Sequence, residues 1–162
     1  MRKLLSLLAL LALAAPATAK DSLGMFSGWG AFRDPSVPRC YAIAQPRSSQ
    51  RARSYQPYAT IGTWPRRNLR NQLHLRLSRD LAKNSSITLS VGGQRFQLTG
   101  GGGDAWAQDR TMDAAVIAAM RSASRMSVTA RDARGNRFFD TYDLAGAATA
   151  MDAATVGCAR LR

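Results

Sequence analysis

The sequence predicts a mainly β, antiparallel, sandwich-like domain of about seven strands with two short helices. Three observations carry that expectation. Short runs such as QLHLRLSR, residues 72 to 79, alternate apolar and polar side chains with period two, the pattern of a strand with one buried face. Turn residues separate these runs at short intervals, Gly92-Gly93 and Arg134-Gly135-Asn136 among them. Two stretches near the C-terminal end instead carry the three- and four-residue apolar spacing of a helix.

The chain opens MRKLLSLLALLALAAPATAK. Arg2 and Lys3 form a positive leader, Leu4 to Ala15 an apolar run, and Ala17-Thr18-Ala19 a small-x-small cleavage site, so residues 1 to 19 read as a signal peptide cut after Ala19. The apolar run falls short of the roughly 20 residues that a spanning helix needs, and no later stretch approaches it. A mature chain over residues 20 to 162, without a transmembrane segment and periplasmic or secreted from a bacterium, is therefore expected. Its 143 residues suit one domain.

MFSGWGAF and PRCYAIAQP read as two extended segments, with Asp34-Pro35 and Val37-Pro38 forcing a turn between them. Cys40 begins the second. RSSQRARSYQ, residues 47 to 56, has no apolar period and reads as an exposed loop, after which PYATIGTWP resumes a strand. In QLHLRLSR, Leu73, Leu75 and Leu77 face a core and His74 faces solvent. SITLSVGGQRFQLTG is two strands joined at Gly92-Gly93, because glycine can take positive φ at both central positions of a two-residue hairpin. The run Gly100 to Gly103 lacks the lysine and hydroxyl of a phosphate loop, since Asp104 and Ala105 stand there, and it reads as a flexible connection to Trp106. DRTMDAAVIAAMRSA starts at the candidate caps Asp109 and Thr111 and puts Val116, Met120 and Ala123 on one helical face. RMSVTARDARGNRFFDTYDL is another hairpin. GAATAMDAATVGC closes the chain with a helix whose inward stripe holds Ala147, Met151, Ala154 and Cys158.

Lys and Arg number 23 against 10 acids, a net charge of +13 that falls to +11 once Arg2 and Lys3 are removed. Nearly all the cations are arginine and every acid is aspartate. This surplus argues for anionic neighbours. In an exported chain the two cysteines, Cys40 and Cys158, are expected to form one disulfide. The same two cysteines and the one histidine leave no zinc set, and His74 has no evident orienting partner for a catalytic triad. Paired aspartates, Asp140 with Asp143 and Asp109 with Asp113, are the residues a small secreted hydrolase would use.

The most suggestive functional feature is arginine. Arg47, Arg51 and Arg53 share one loop, and Arg66, Arg67 and Arg70 follow the next strand, with Tyr55, Tyr58 and Trp64 between. Guanidinium groups so gathered suit phosphates or sulfates. Nucleic acid would suit them too, but export argues against it, and an anionic envelope polymer or a partner protein is the expected target.

GWGAF with PRCYAIAQP, then DAWAQD, DAAVIAAMRSASRMSVTARDARGN and DTYDLAGAATAMDAATVGC, resembles the invasion-associated locus B family of exported bacterial proteins, from about Trp29 to Cys158. The resemblance implies a periplasmic or secreted β-rich domain that needs no cofactor and is linked in some pathogens to host-cell invasion. It supplies no catalytic motif. The expected function is thus a non-enzymatic binding module. The alternatives are the aspartate hydrolase and a structural subunit of an envelope assembly.

Overall fold

A computed structural model describes residues 20–47 and 53–159. The predicted signal peptide, residues 1 to 19, lies outside the described residues, as does Arg51. The class is as expected, mainly antiparallel β with two helices, but among the described residues the strands number ten and form one continuous sheet.

The first two are β1 (Asp21–Phe26) and β2 (Trp29–Asp34), paired antiparallel. MFSGWGAF is therefore a hairpin and not one extended segment. The turn is made by Ser27, at φ 53°, with Gly28. A non-glycine residue in the left-handed region is uncommon, and Ser27 adopts it as the first residue of a Ser-Gly pair, a dipeptide that marks turns. The expected turn at residues 35 to 38 leads into β3 (Arg39–Ala44), which pairs with β4 (Tyr58–Trp64). A single 3-10 turn, Pro65–Arg67, joins β4 to β5 (Leu69–Arg76). Next come β6 (Ile87–Val91) and β7 (Gln94–Gly101), joined at Gly92 and Gly93 with φ of 54° and 86°, the two positive values that the hairpin requires.

The glycine run is not a flexible connection. Gly100 and Gly101 are the last residues of β7, Gly102 and Gly103 turn the chain, and β8 (Asp104–Trp106) pairs back on β7 and onto β5. Glycine is needed where the ladder is this tight: a Cβ on Gly100 would run into the carbonyl oxygen of Asp104. Helix α1 (Arg110–Ser122) follows, capped by Asp109, whose carboxylate accepts the Met112 N–H at 2.8 Å. The hairpin β9 (Arg125–Arg131) and β10 (Arg137–Asp143) and then α2 (Ala147–Cys158) complete the chain.

The strand order is β1-β2-β3-β4-β5-β8-β7-β6-β9-β10. The sheet curls so that its last strand returns toward the early ones. The Asp143 carbonyl accepts the Trp29 indole N–H, the Thr141 carbonyl accepts the Arg47 N–H, and the Asp140 carboxylate accepts the Ser78 N–H, each at 2.8 Å. Both halves thereby share one core, in which Trp29, Leu73, Leu75, Leu89, Val128 and Tyr142 have no exposed surface. Helix α2 packs on β1 to β3 and α1 on β5. Cys40 and Cys158 are bonded across that contact, with Cα atoms 5.6 Å apart.

Candidate anion-binding surface

Of the six arginines picked from the sequence, the five that the structure describes, Arg47, Arg53, Arg66, Arg67 and Arg70, do not gather in one place. Arg47 sits at the bend after β3 and its Nε lies 2.9 Å from the Asp143 carboxylate, so its charge already has a partner. Arg53 donates to the Gln56 side chain at 3.3 Å and lines a cavity of about 240 Å³ with Arg79, Arg134, Asp80 and Asp132. That cavity is mixed in sign. Burial works to raise the Asp132 carboxyl, but the Arg79 guanidinium and the N–H groups of Asn136 and Arg134 together hold it below the usual range, so it stays a carboxylate there.

Arg66, Arg67 and Arg70 differ. The first two stand on the 3-10 turn, which closes when the Asn68 N–H, on a residue at φ 51°, reaches the Pro65 carbonyl at 3.1 Å. Arg70 is the second residue of β5. All three are exposed, and among the described residues no carboxylate lies within ion-pair distance of any of them. Arg66 and Arg70 line a cavity of about 610 Å³ whose other walls are Thr63, Pro65, Asn71 and, from the end of α2, Thr155 and Cys158. Arg70 and Asn71 also line an adjoining recess of about 290 Å³, where Arg110 and Arg121 of α1 face them. Arg121 is ion-paired with Asp152 at 2.6 Å. Thr155, Asn71 and Arg110 escaped the sequence reading because only the packing of the two helices against β4 and β5 brings them here.

Tyr58 and Trp64, placed between the arginines by sequence, belong to the opposite side of β4: they share a face with Thr60 and Gly62, whereas Ala59 and Ile61 face the core. His74 is on the solvent side as expected, but it is half-buried and has a partner after all. Its Nε2 is 2.9 Å from Asp104 Oδ1, and the other oxygen of Asp104 accepts from Arg76 at 2.5 Å. The pairing of β8 with β5 brings the two together from 30 positions apart.

A family model described as Invasion associated locus B (IalB) protein matches residues 32–155, more than half of the chain. The chain belongs to the invasion associated locus B family. No curated protein and no solved structure matches it. The IalB match takes in Cys40 and all six arginines picked from the sequence and stops just short of Cys158.

In this IalB domain the aspartates named as a catalytic alternative are separately engaged. Asp109 caps α1, Asp113 accepts the Leu73 N–H at 2.8 Å, Asp140 is buried and accepts from Ser78, and Asp143 pairs with Arg47. Asp140 and Asp143 are three apart in a strand, so they project to opposite faces. Among the described residues no group of three His, Cys, Asp or Glu side chains could hold a metal ion, and no helix is long and apolar enough to cross a membrane.

Proposed function

We propose that this IalB-family protein is an exported, non-catalytic binding module that engages an anionic envelope or host-surface polymer. The observation that carries the reading is the Arg66, Arg67 and Arg70 cluster: three exposed guanidinium groups on one turn and strand start, without a carboxylate partner among the described residues, beside a cavity of about 610 Å³. Like charges held close repel, and an incoming polyanion relieves that repulsion while its oxygens take the unused N–H donors. Export follows from the signal-like first 19 residues, and mass spectrometry of the mature protein should read Lys20 as its N-terminus.

The test is retention on immobilised heparin, a polyanion of known charge, for wild type, for Arg66→Gln/Arg67→Gln/Arg70→Gln, and for Arg47→Gln/Arg53→Gln. Exposed ion pairs contribute about 0.2 to 1 kcal/mol each, so losing three should weaken binding by about tenfold. The Arg47/Arg53 variant should lose far less. Equal losses in both variants would show diffuse charge attraction and no site.

A further inference from the structure

The outer face of the sheet, remote in register from the core, carries an unusual layer of rings. Register sets them in rows across the strands. One row runs Ile43, Thr60, His74, Trp106 over β3, β4, β5 and β8, and the next runs Phe32, Tyr41, Gly62, Gln72. Together with Tyr58, Trp64, Arg39 and Lys20 these residues, Phe32 excepted, line a groove of about 370 Å³. Solvent-side positions of a sheet are ordinarily polar, so this clustering of half-buried rings calls for a reason.

The rings are also held in place. His74 stacks on Trp106 with centroids 5.2 Å apart and meets Tyr58 edge-on at 5.7 Å, while Asp104 fixes its Nε2. Trp64 lies across the sheet where Gly62 leaves room, since a Cβ on Gly62 would stand 2.5 Å from Trp64 Cη2. At the end shared with Trp64, Arg39 covers Tyr41 at 4.9 Å, and its one ion-pair contact among the described residues, to Asp34, is long at 3.7 Å. The Asp34 carboxylate is otherwise held by Ser36 and the Val37 N–H. Lys20, the residue that becomes the N-terminus if cleavage follows Ala19, lines the same end.

We propose that this groove is a second binding site and that it takes an acidic oligosaccharide. The C–H groups on a pyranose face are weakly positive and match the negative face of an aromatic ring, so a sugar stacks on Trp64, Tyr58 and Trp106. Thr60, Gln72 and His74 offer hydrogen bonds to hydroxyls, and Arg39 with Lys20 faces a carboxylate. A peptide strand cannot add here: β3, β4 and β5 each have neighbours on both sides, which occupy their backbone groups. Rings already fixed lose little entropy on binding. The site is separate from the Arg66, Arg67 and Arg70 cluster and stands or falls without it.

Titrating the mature, oxidised protein with tetragalacturonate, its methyl ester and a single-stranded oligothymidylate tests this, with calorimetry and tryptophan emission as readouts. Wild type should bind tetragalacturonate with a change in emission, and the neutral ester at least fivefold more weakly. Trp64→Ala and Trp106→Ala should each lose tenfold or more, and Arg66→Gln/Arg67→Gln/Arg70→Gln should stay within twofold. Gly62→Val, which pushes the Trp64 ring aside, and Arg39→Gln on the neighbouring strand repeat the test without deleting an indole. Absence of binding by wild type, binding indifferent to all four groove substitutions, equal affinity for the ester, or capture of the oligothymidylate alone would overturn the proposal.

Discussion

Asp113 and Asp140 are buried carboxylates that tie β5 and Ser78, two residues beyond it, to α1 and β10, each by accepting a backbone N–H that the sheet leaves unpaired. Desolvation pushes both above the ordinary aspartate value, against the pull of the Leu73 and Ser78 hydrogen bonds. A carboxyl whose folded pKa is raised stabilises most fully below its unfolded value, near 3.9, and that contribution is lost as pH rises through the folded value. Asp113→Asn keeps the acceptor and removes the charge. It should be at least as stable as wild type at pH 7, with the difference shrinking below about pH 4, as denaturant melts at both pH values would reveal. Asp113→Ala leaves the Leu73 N–H unpaired and should cost about 1 to 3 kcal/mol. The Tyr142 hydroxyl is buried without a partner among the described residues, so Tyr142→Phe should raise the melting temperature, and a fall would mean that the hydroxyl is bonded after all. None of these partnerships is legible in the sequence, because each joins residues 40 or more positions apart.

At the scale of elements, the strands and helices that announced themselves did so through local chemistry. Leu73, Leu75 and Leu77 alternate and are all fully buried, Gly92-Gly93 turns as its freedom at positive φ allows, and Asp109 caps α1. The missed elements lacked such signals. β8 is three residues long and follows four glycines, a composition that disfavours strands except where, as at Gly100, the neighbouring backbone leaves no space for a side chain. The arginine set was misjudged for a related reason: proximity in sequence suggested one patch, while β4 crosses the sheet and separates Arg53 from Arg66 and Arg70. Two element-level predictions follow from the packing of α2. Gly146→Ala should unseat the helix start, since Gly146 has φ 83° and a Cβ would strike the Phe26 carbonyl oxygen; a thermal midpoint unchanged from wild type would contradict that contact. Replacing both cysteines by alanine removes a bridge between positions 118 apart and should cost about 4 to 5 kcal/mol in the chain-entropy account, measured by urea unfolding.

For the whole molecule, the decisive feature is where the surplus positive charge is left uncompensated. Ten aspartates face 23 cations, and among the described residues six of the ten form ion pairs with arginine while the others are hydrogen-bonded within the fold. The fold pairs its acids with Arg33, Arg39, Arg47, Arg76, Arg79 and Arg121, and Arg66, Arg67 and Arg70 are among the described arginines left without an ion pair. Net charge and family were readable in the sequence; which arginines stay unpaired was not, because that depends on how the curled sheet brings distant aspartates to the rest. The most direct measurement is an NMR titration of the isotopically labelled mature domain with a heparin tetrasaccharide at physiological salt. Saturable amide shifts concentrated at Arg66 to Asn71 and at Thr155 to Ala159 are expected, weakening as salt is raised. Shifts scattered evenly over the arginines, or centred on Arg47 and Arg53, would contradict it.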